Sequence, residues 1–268
     1  YRDNNAINLI KRNFFMKIGI IGLGLIGGSL FKSLKELGYD VIAVSKSQNG
    51  EGIFKSYDVL RDCGVVFVCT AMNKTLTVLD ELEAILPKNA LVTDVCSLKG
   101  FVSKKKRPYN FIPSHPMAGT EFSGFENSFA GLFKGAKWVL TPCFGEKDIE
   151  KVIKIITDLG AEPVVTAPDK HDEAAAMISH MPMVLAQALF LAASADDLAL
   201  KIAASGFRDM TRLALSNTEM ARDMVYMNSE NIEKAILKLY KALGDLTHGD
   251  YAKMIETIKQ KRSEMFKN

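Results

Sequence analysis

The chain has 268 residues, of which 48% are hydrophobic, and a formal net charge of +3. That length buries a sizeable core over one or two domains, and so small a balance of mixed charge argues against nucleic acid or an anionic membrane surface as the main partner. The four cysteines, Cys63, Cys69, Cys96 and Cys143, show neither CxxC spacing nor disulfide-scaffold density, which suits a reducing cytoplasm and proposes no metal site.

Residues 1–15 lack clean periodicity and read as an N-terminal extension ahead of a fold that starts at Met16. No signal peptide is apparent, and the apolar runs fall short of the roughly 20 residues that span a bilayer, so a membrane is not expected as a partner. From Met16 the stretch MKIGIIGLGLIGGSLFKSLKELGYDVIAVSKSQ reads as strand, loop, helix, strand. Gly22, Gly24 and Gly27 fit GxGxxG: the first allows a tight turn, the second lets backbone approach a pyrophosphate, and the third lets helix pack on strand. With Leu25 and Ile26 between them they form a dinucleotide-binding loop whose helix offers free N–H groups to phosphates.

The second strand should end in an acidic residue that holds the ribose of NAD, and instead it ends in Ser45 and Lys46. A hydroxyl and an ammonium accept a 2′-phosphate that a carboxylate would repel, so the cofactor is NADP or NAD, leaning to NADP. Further strands are expected at 64–70, 90–95 and 109–114, with a helix at 73–86, which is βαβ rhythm and a doubly wound parallel sheet. Ligands then bind where loops leave the carboxyl ends, at Thr70 to Asn73, Cys96 to Lys99, and Ser114 to Gly119. The run KKKR at 104–107 reads as a solvated face. From Pro168 onward nearly every window is helical, giving a Rossmann-type domain over 16–167 and an all-α domain over 168–268. Its helices are apolar on more than one face, as burial against a symmetric partner subunit requires.

Five motifs in order carry a resemblance: GLGLIGGS (22–29), DVCSLK (94–99), HPMAGTEFSG (115–124), HDEAAAMISHMP (171–182) and GFRDMTR (206–212). In order and spacing the chain resembles the prephenate dehydrogenases, also called cyclohexadienyl or arogenate dehydrogenases. The resemblance implies a Rossmann domain followed by a helical dimerisation domain, a homodimer, and oxidative decarboxylation of prephenate or arogenate with NAD or NADP. It implies that His115 is the catalytic base, a task that suits an imidazole near neutral pH, presented by a turn that Pro116 and Gly119 fix. It implies that Ser97 orients that base, that Arg208 grips a substrate carboxylate through its planar fork, and that His171 and His180 lie on the substrate side. Thr120 and Glu121 are candidates to gate the pocket, with a structural salt bridge as the competing role. The family pattern S-H-L-P-H expects a second His where this chain has Met183. His248 is read as a turn cap. The rivals are a β-hydroxyacid dehydrogenase, which would need a catalytic Lys on the first interdomain helix, and a non-catalytic dinucleotide sensor on the same fold.

Overall fold

The structure is a computed structural model that describes residues 16–120 and 122–266; the extension at 1–15 and Glu121 lie outside the described residues. Six strands form one wholly parallel sheet: β1 (Lys17–Ile21), β2 (Asp40–Val44), β3 (Ile53–Phe54), β4 (Val65–Val68), β5 (Leu91–Asp94) and β6 (Asn110–Phe111), ordered β3-β2-β1-β4-β5-β6. β1 and β4 are apolar on both sides because both faces are covered. Ile18, Ile20, Val65 and Phe67 pack with Leu30 and Leu34 of α1 (Leu25–Glu36) on one face, while Ile21, Val66 and Val68 pack with Leu79 and Leu82 of α2 (Met72–Leu82) on the other. The chain order reverses between β1 and β4, which opens the ligand crevice at their carboxyl ends.

The Gly-rich loop sits at that crevice. Gly22 has φ +88°, and a Cβ there would stand 2.5 Å from the Cys69 carbonyl oxygen. A Cβ on Gly27 would stand 1.9 Å from the Gly22 oxygen, whereas one on Gly24 would meet nothing within 4 Å. Two of the three glycines therefore serve the fold, and the third leaves space.

The stretch expected as one strand at 109–114 is two strands in different sheets. Pro113 has no N–H to continue the ladder. Ile112 N–H still reaches Val92 O at 2.9 Å, after which Ser114 N–H turns to the Asp94 carboxylate at 3.1 Å. A second sheet follows, β7 (Ser114–Pro116), β8 (Lys137–Leu140) and β9 (Glu162–Val165), with β7 antiparallel and β9 parallel to β8 and α3 (Ile149–Asp158) packed against it. His115 is thus the central residue of β7, opposite Val139, rather than part of the turn that Pro116 and Gly119 were expected to fix.

The rest is helical: α4 (Pro168–Ala193), α5 (Asp197–Lys201), α6 (Ser205–Thr211), α7 (Thr218–Met227), α8 (Ser229–His248) and α9 (Tyr251–Met265). Against the sequence reading, α4 is long and apolar enough to cross a membrane, with mean hydropathy 1.6 over a window of which 33% is buried in this chain. Its polar first two turns, with Asp169, His171, Asp172 and Glu173, mask that length in the sequence. Ile178 and Leu191 on α4, Ile202, and Leu237 and Tyr240 on α8 stay exposed, leaving an apolar surface of the kind that mates with another protein face.

The glycine contacts separate two outcomes. Gly27→Ala should cost at least about 2 kcal/mol in stability, the range of a forced backbone clash. Gly24→Ala should melt as the wild type does yet bind dinucleotide at least tenfold more weakly, read by thermal unfolding with and without NADP. Equal melting points for both variants would contradict this division.

Candidate active site

At the phosphate end, α1 begins at Leu25 with Gly24 as N-cap and no side chain capping it, so N–H groups of the first turn are unspent. Beside it, Thr70 Oγ1 lies 3.0 Å from Thr75 Oγ1, which fixes the β4 exit loop onto α2. At the β2 exit, Ser45 is buried and its Oγ accepts the Gln48 N–H at 3.1 Å, while Lys46 is exposed. Lys55, outside the sequence reading, donates Nζ to the carbonyls of Ser45 (2.9 Å), Lys46 (3.2 Å) and Gln48 (2.7 Å), so its ammonium braces the loop that carries Lys46.

The chemistry-bearing groups meet where β5, β7 and α4 converge. His171 Nδ1 lies 2.8 Å from Asp172 Oδ1, and His171 Nε2 lies 3.0 Å from His115 Nδ1. An ionised carboxylate only accepts, so His171 carries its proton on Nδ1 and presents a bare Nε2. His115 must then donate from Nδ1, which leaves its own Nε2 unprotonated. The two rings meet edge to face, with centroids 5.1 Å apart.

Asp172 is held in place by backbone: its Oδ1 accepts Lys99 N–H and its Oδ2 accepts Gly100 N–H, both at 2.8 Å. A Cβ on Gly100 would stand 2.8 Å from Oδ2, so only glycine lets the carboxylate seat there. Beneath this lies a fully buried ion pair, Lys99 Nζ donating to Asp94 Oδ2 and to Ser114 O at 2.5 Å each. Asp94 also accepts the N–H of Cys96 (2.9 Å) and of Ser114, which ties the β5 exit loop to β7. Ser114 Oγ accepts from Trp138 Nε1 (3.0 Å) and Thr93 Oγ1 (2.9 Å). The strand carrying His115 is therefore anchored at the residue just before the ring, Ser114. Breaking such a buried pair by deleting one partner costs about 3–5 kcal/mol.

Burial drives the His115 imidazole well below its ordinary pKa, and His171, Lys99 and His180 push it the same way. The ring is neutral at neutral pH with its lone pair on Nε2. His180, buried on α4, is pushed down to about 4, chiefly by burial.

The remaining residues singled out from the sequence distribute unevenly. Ser97 is half-buried in the β5 exit loop, and its Oγ bonds no protein group among the described residues; the His115 ring is oriented by His171 instead. Met183 is buried in an apolar cluster with Met72, Cys96, Leu98, Ala221 and Met224, at the seam between the two halves and beside Ser97. Thr120 is exposed and its Oγ1 accepts Phe122 N–H at 3.2 Å, a local turn. Arg208 stands apart: it is exposed on α6, its Nε donates to Asp209 at 3.3 Å, and α6 packs through Phe207 on Phe190, ten residues beyond His180. His248 sits at the end of α8 with Nδ1 3.0 Å from Gly244 O. Lys170, the lysine on the first interdomain helix, is exposed and pairs with Glu173 at 3.0 Å, and among the described residues it bonds neither His115 nor His171. Asp94 and Lys99 lie in the DVCSLK motif and Asp172 in HDEAAAMISHMP, where closeness to Ser97 and His171 is the signal the sequence offers.

Comparison with known proteins follows the same outline. Two family models match, described as prephenate dehydrogenase, nucleotide-binding domain, over residues 43–165 and prephenate dehydrogenase, dimerization domain, over 167–267. The prephenate dehydrogenase of Bacillus subtilis is 31% identical over 80% of this chain, which spans 64% of that protein's length. Synechocystis arogenate dehydrogenase superposes with a TM-score of 0.80 at 29% identity, covering 94% of this chain and 100% of that one. Prephenate dehydrogenase from A. aeolicus, in complex with hydroxyphenyl propionate and NAD+, gives a TM-score of 0.82 at 28% identity, covering 94% and 98%.

The proton assignment is directly measurable. In ¹⁵N spectra of histidine-labelled protein, His115 should show a protonated Nδ1 and a bare Nε2 and should stay neutral well below pH 6.5. A His115 ring that carries its proton on Nε2, or that titrates at or above its ordinary value, contradicts the chain of donors drawn from Asp172.

Proposed function

The chain belongs to the prephenate dehydrogenase family, and on that premise we propose that it oxidatively decarboxylates prephenate to 4-hydroxyphenylpyruvate, passing hydride to NAD(P) in tyrosine biosynthesis. The observation that carries this reading is a neutral His115 whose Nδ1–H is spent on His171 and whose Nε2 is bare. That is what a base for an alcohol oxidation needs.

The dinucleotide fits the residues present: Gly24 leaves a cradle that a Cβ would fill, and the first turn of α1 is uncapped. When bound, the nicotinamide supplies the hydride acceptor. His115 Nε2 takes the proton of the C4 hydroxyl as hydride leaves the same carbon. The bond from the ring to its carboxylate then breaks, its electron pair aromatises the ring, and the phenolate oxygen takes the proton back from His115. One CO2 leaves and no net proton is released, so the proton need not be exported. Asp172 accordingly has to hold a direction, through His171, rather than accept the proton. In this reading Ser97 Oγ, free of protein partners and beside the β5 exit, faces the substrate hydroxyl. Arg208 is proposed for the substrate carboxylate, since its exposed pairing with Asp209 is weak enough to exchange.

Two finer choices follow from single residues. Ser45, Lys46 and Lys55 favour NADP at the β2 exit, where the strand ends in Ser45 and Lys46 rather than in the acid that would repel a 2′-phosphate. Met183 packs into an apolar cluster where the family pattern has a second His, so recognition of the substrate side chain rests more heavily on Arg208 and arogenate competes with prephenate. The exposed apolar surface and the matched dimerization domain support a homodimer through the helical half. Four free cysteines suit the cytoplasm.

One assay tests the reading: prephenate and arogenate, each with NAD and NADP. We expect prephenate-dependent reduction, arogenate oxidised as well, and NADP used at least as well as NAD. His115→Asn should lower kcat by roughly 10² to 10⁴ with dinucleotide affinity unchanged. No turnover of either substrate, or a variant that keeps most of its activity, overturns the proposal; a tenfold preference for NAD overturns the cofactor part.

A further inference from the structure

His171 and His180 are nine residues apart on α4. At about 100° per residue a regular α-helix would turn them some 900°, onto opposite faces. The segment Ala176–His180 is instead π-helical, closed by Met181 N–H to Ala176 O. Pro182 accounts for it locally: it lacks an N–H, and in a regular ladder its ring would strike the carbonyl four residues back, at Ile178. A π turn takes up one extra residue, so the two rings come to about 80° apart on one side of the helix.

Asn228, a buried residue between α7 and α8, locks this arrangement. Its Nδ2 donates to Asp172 O at 3.0 Å, and a carbonyl oxygen can only accept, which fixes the amide's orientation. The second hydrogen of Nδ2 goes to His180 Nδ1 at 3.1 Å, and Asn228 Oδ1 accepts from Asn231 Nδ2 at 2.8 Å. His180 Nδ1 is therefore the acceptor, and the ring's proton is on Nε2. Among the described residues that Nε2 has no protein partner, and it is not sealed away as the unpartnered Ser103 Oγ and Arg107 Nε are.

Resting on the prephenate reading, we propose that Asn228 is a positioning residue that holds His180 as a neutral Nε2–H donor to the substrate, on the same side of α4 as the His171 that orients His115. The pair divides the labour by proton placement: His115 presents a bare nitrogen that accepts, and His180 a protonated one that donates. Both tautomers trace to Asp172, one through its carboxylate and the other through its backbone carbonyl.

The test is ¹⁵N spectroscopy of the full-length protein with and without prephenate, together with kinetics of Asn228→Asp and Asn228→Ala. In the wild type His180 should carry its proton on Nε2, and that resonance should move on saturation with prephenate. Asn228→Asp, which offers only acceptors, should flip His180 to the Nδ1–H form. Both variants should raise KM for prephenate at least tenfold while NADP affinity stays within twofold. A wild-type His180 protonated on Nδ1 overturns the proposal, as does an Nε2 resonance that ignores prephenate, or a flipped tautomer with an unchanged KM. Should the variants fail to fold, the two wild-type spectra still decide. Absence of any prephenate turnover by the wild type would strike the functional reading instead, since the His180 tautomer is read without it.

Discussion

One carboxylate organises this molecule. Asp172 belongs to the helical half, yet its oxygens are filled by two N–H groups of the β5 exit loop, Lys99 and Gly100, and by the adjacent His171 ring. Hydrogen bonds to a charged acceptor contribute about 1.5–3 kcal/mol each, so the three together fix both the seam between the halves and the proton positions on His171 and His115. Removing the charge would leave the seam's N–H donors a poorer acceptor and His171 free to choose its tautomer.

Around that carboxylate the fold supplies rigidity in layers. Buried Lys99–Asp94 ties the β5 loop to β7, and Ser114 is held by Trp138 and Thr93. His115 therefore sits on a strand rather than a mobile turn, and its ring is aimed by a second histidine. The logic parallels a Ser-His-Asp triad, in which a buried carboxylate selects the tautomer of a base without itself taking the proton. Here an additional imidazole extends the reach from α4 to β7. Burial keeps the proposed base neutral, which suits the proposed reaction, in which a proton is borrowed from the hydroxyl and returned to the phenol.

The readable parts of the sequence were those set by local pattern. The β1–loop–α1 unit announces itself because its glycines answer short-range contacts, Gly22 against Cys69 and Gly27 against Gly22. The all-helical second half follows from periodicity, and the histidines from the motifs around them. What escaped depends on tertiary contact. The 109–114 strand breaks because Pro113 lets the chain leave one sheet for another. The roles of Asp172 and Asn228 arise from partners 73 and 56 residues away, Lys99 for the first and Asp172 itself for the second. The π turn follows from Pro182, yet its effect on which residues share a side of α4 emerges only when the helix is built.

The most direct measurement is the turnover of Asp172→Asn, a change that keeps the shape and removes the charge that sets the tautomers of His171 and, through it, His115. The account predicts that kcat for prephenate falls by about 10² to 10⁴, as when a triad carboxylate is replaced, while NADP affinity holds within twofold. A variant that folds, binds NADP and turns over prephenate within threefold of wild type would contradict it.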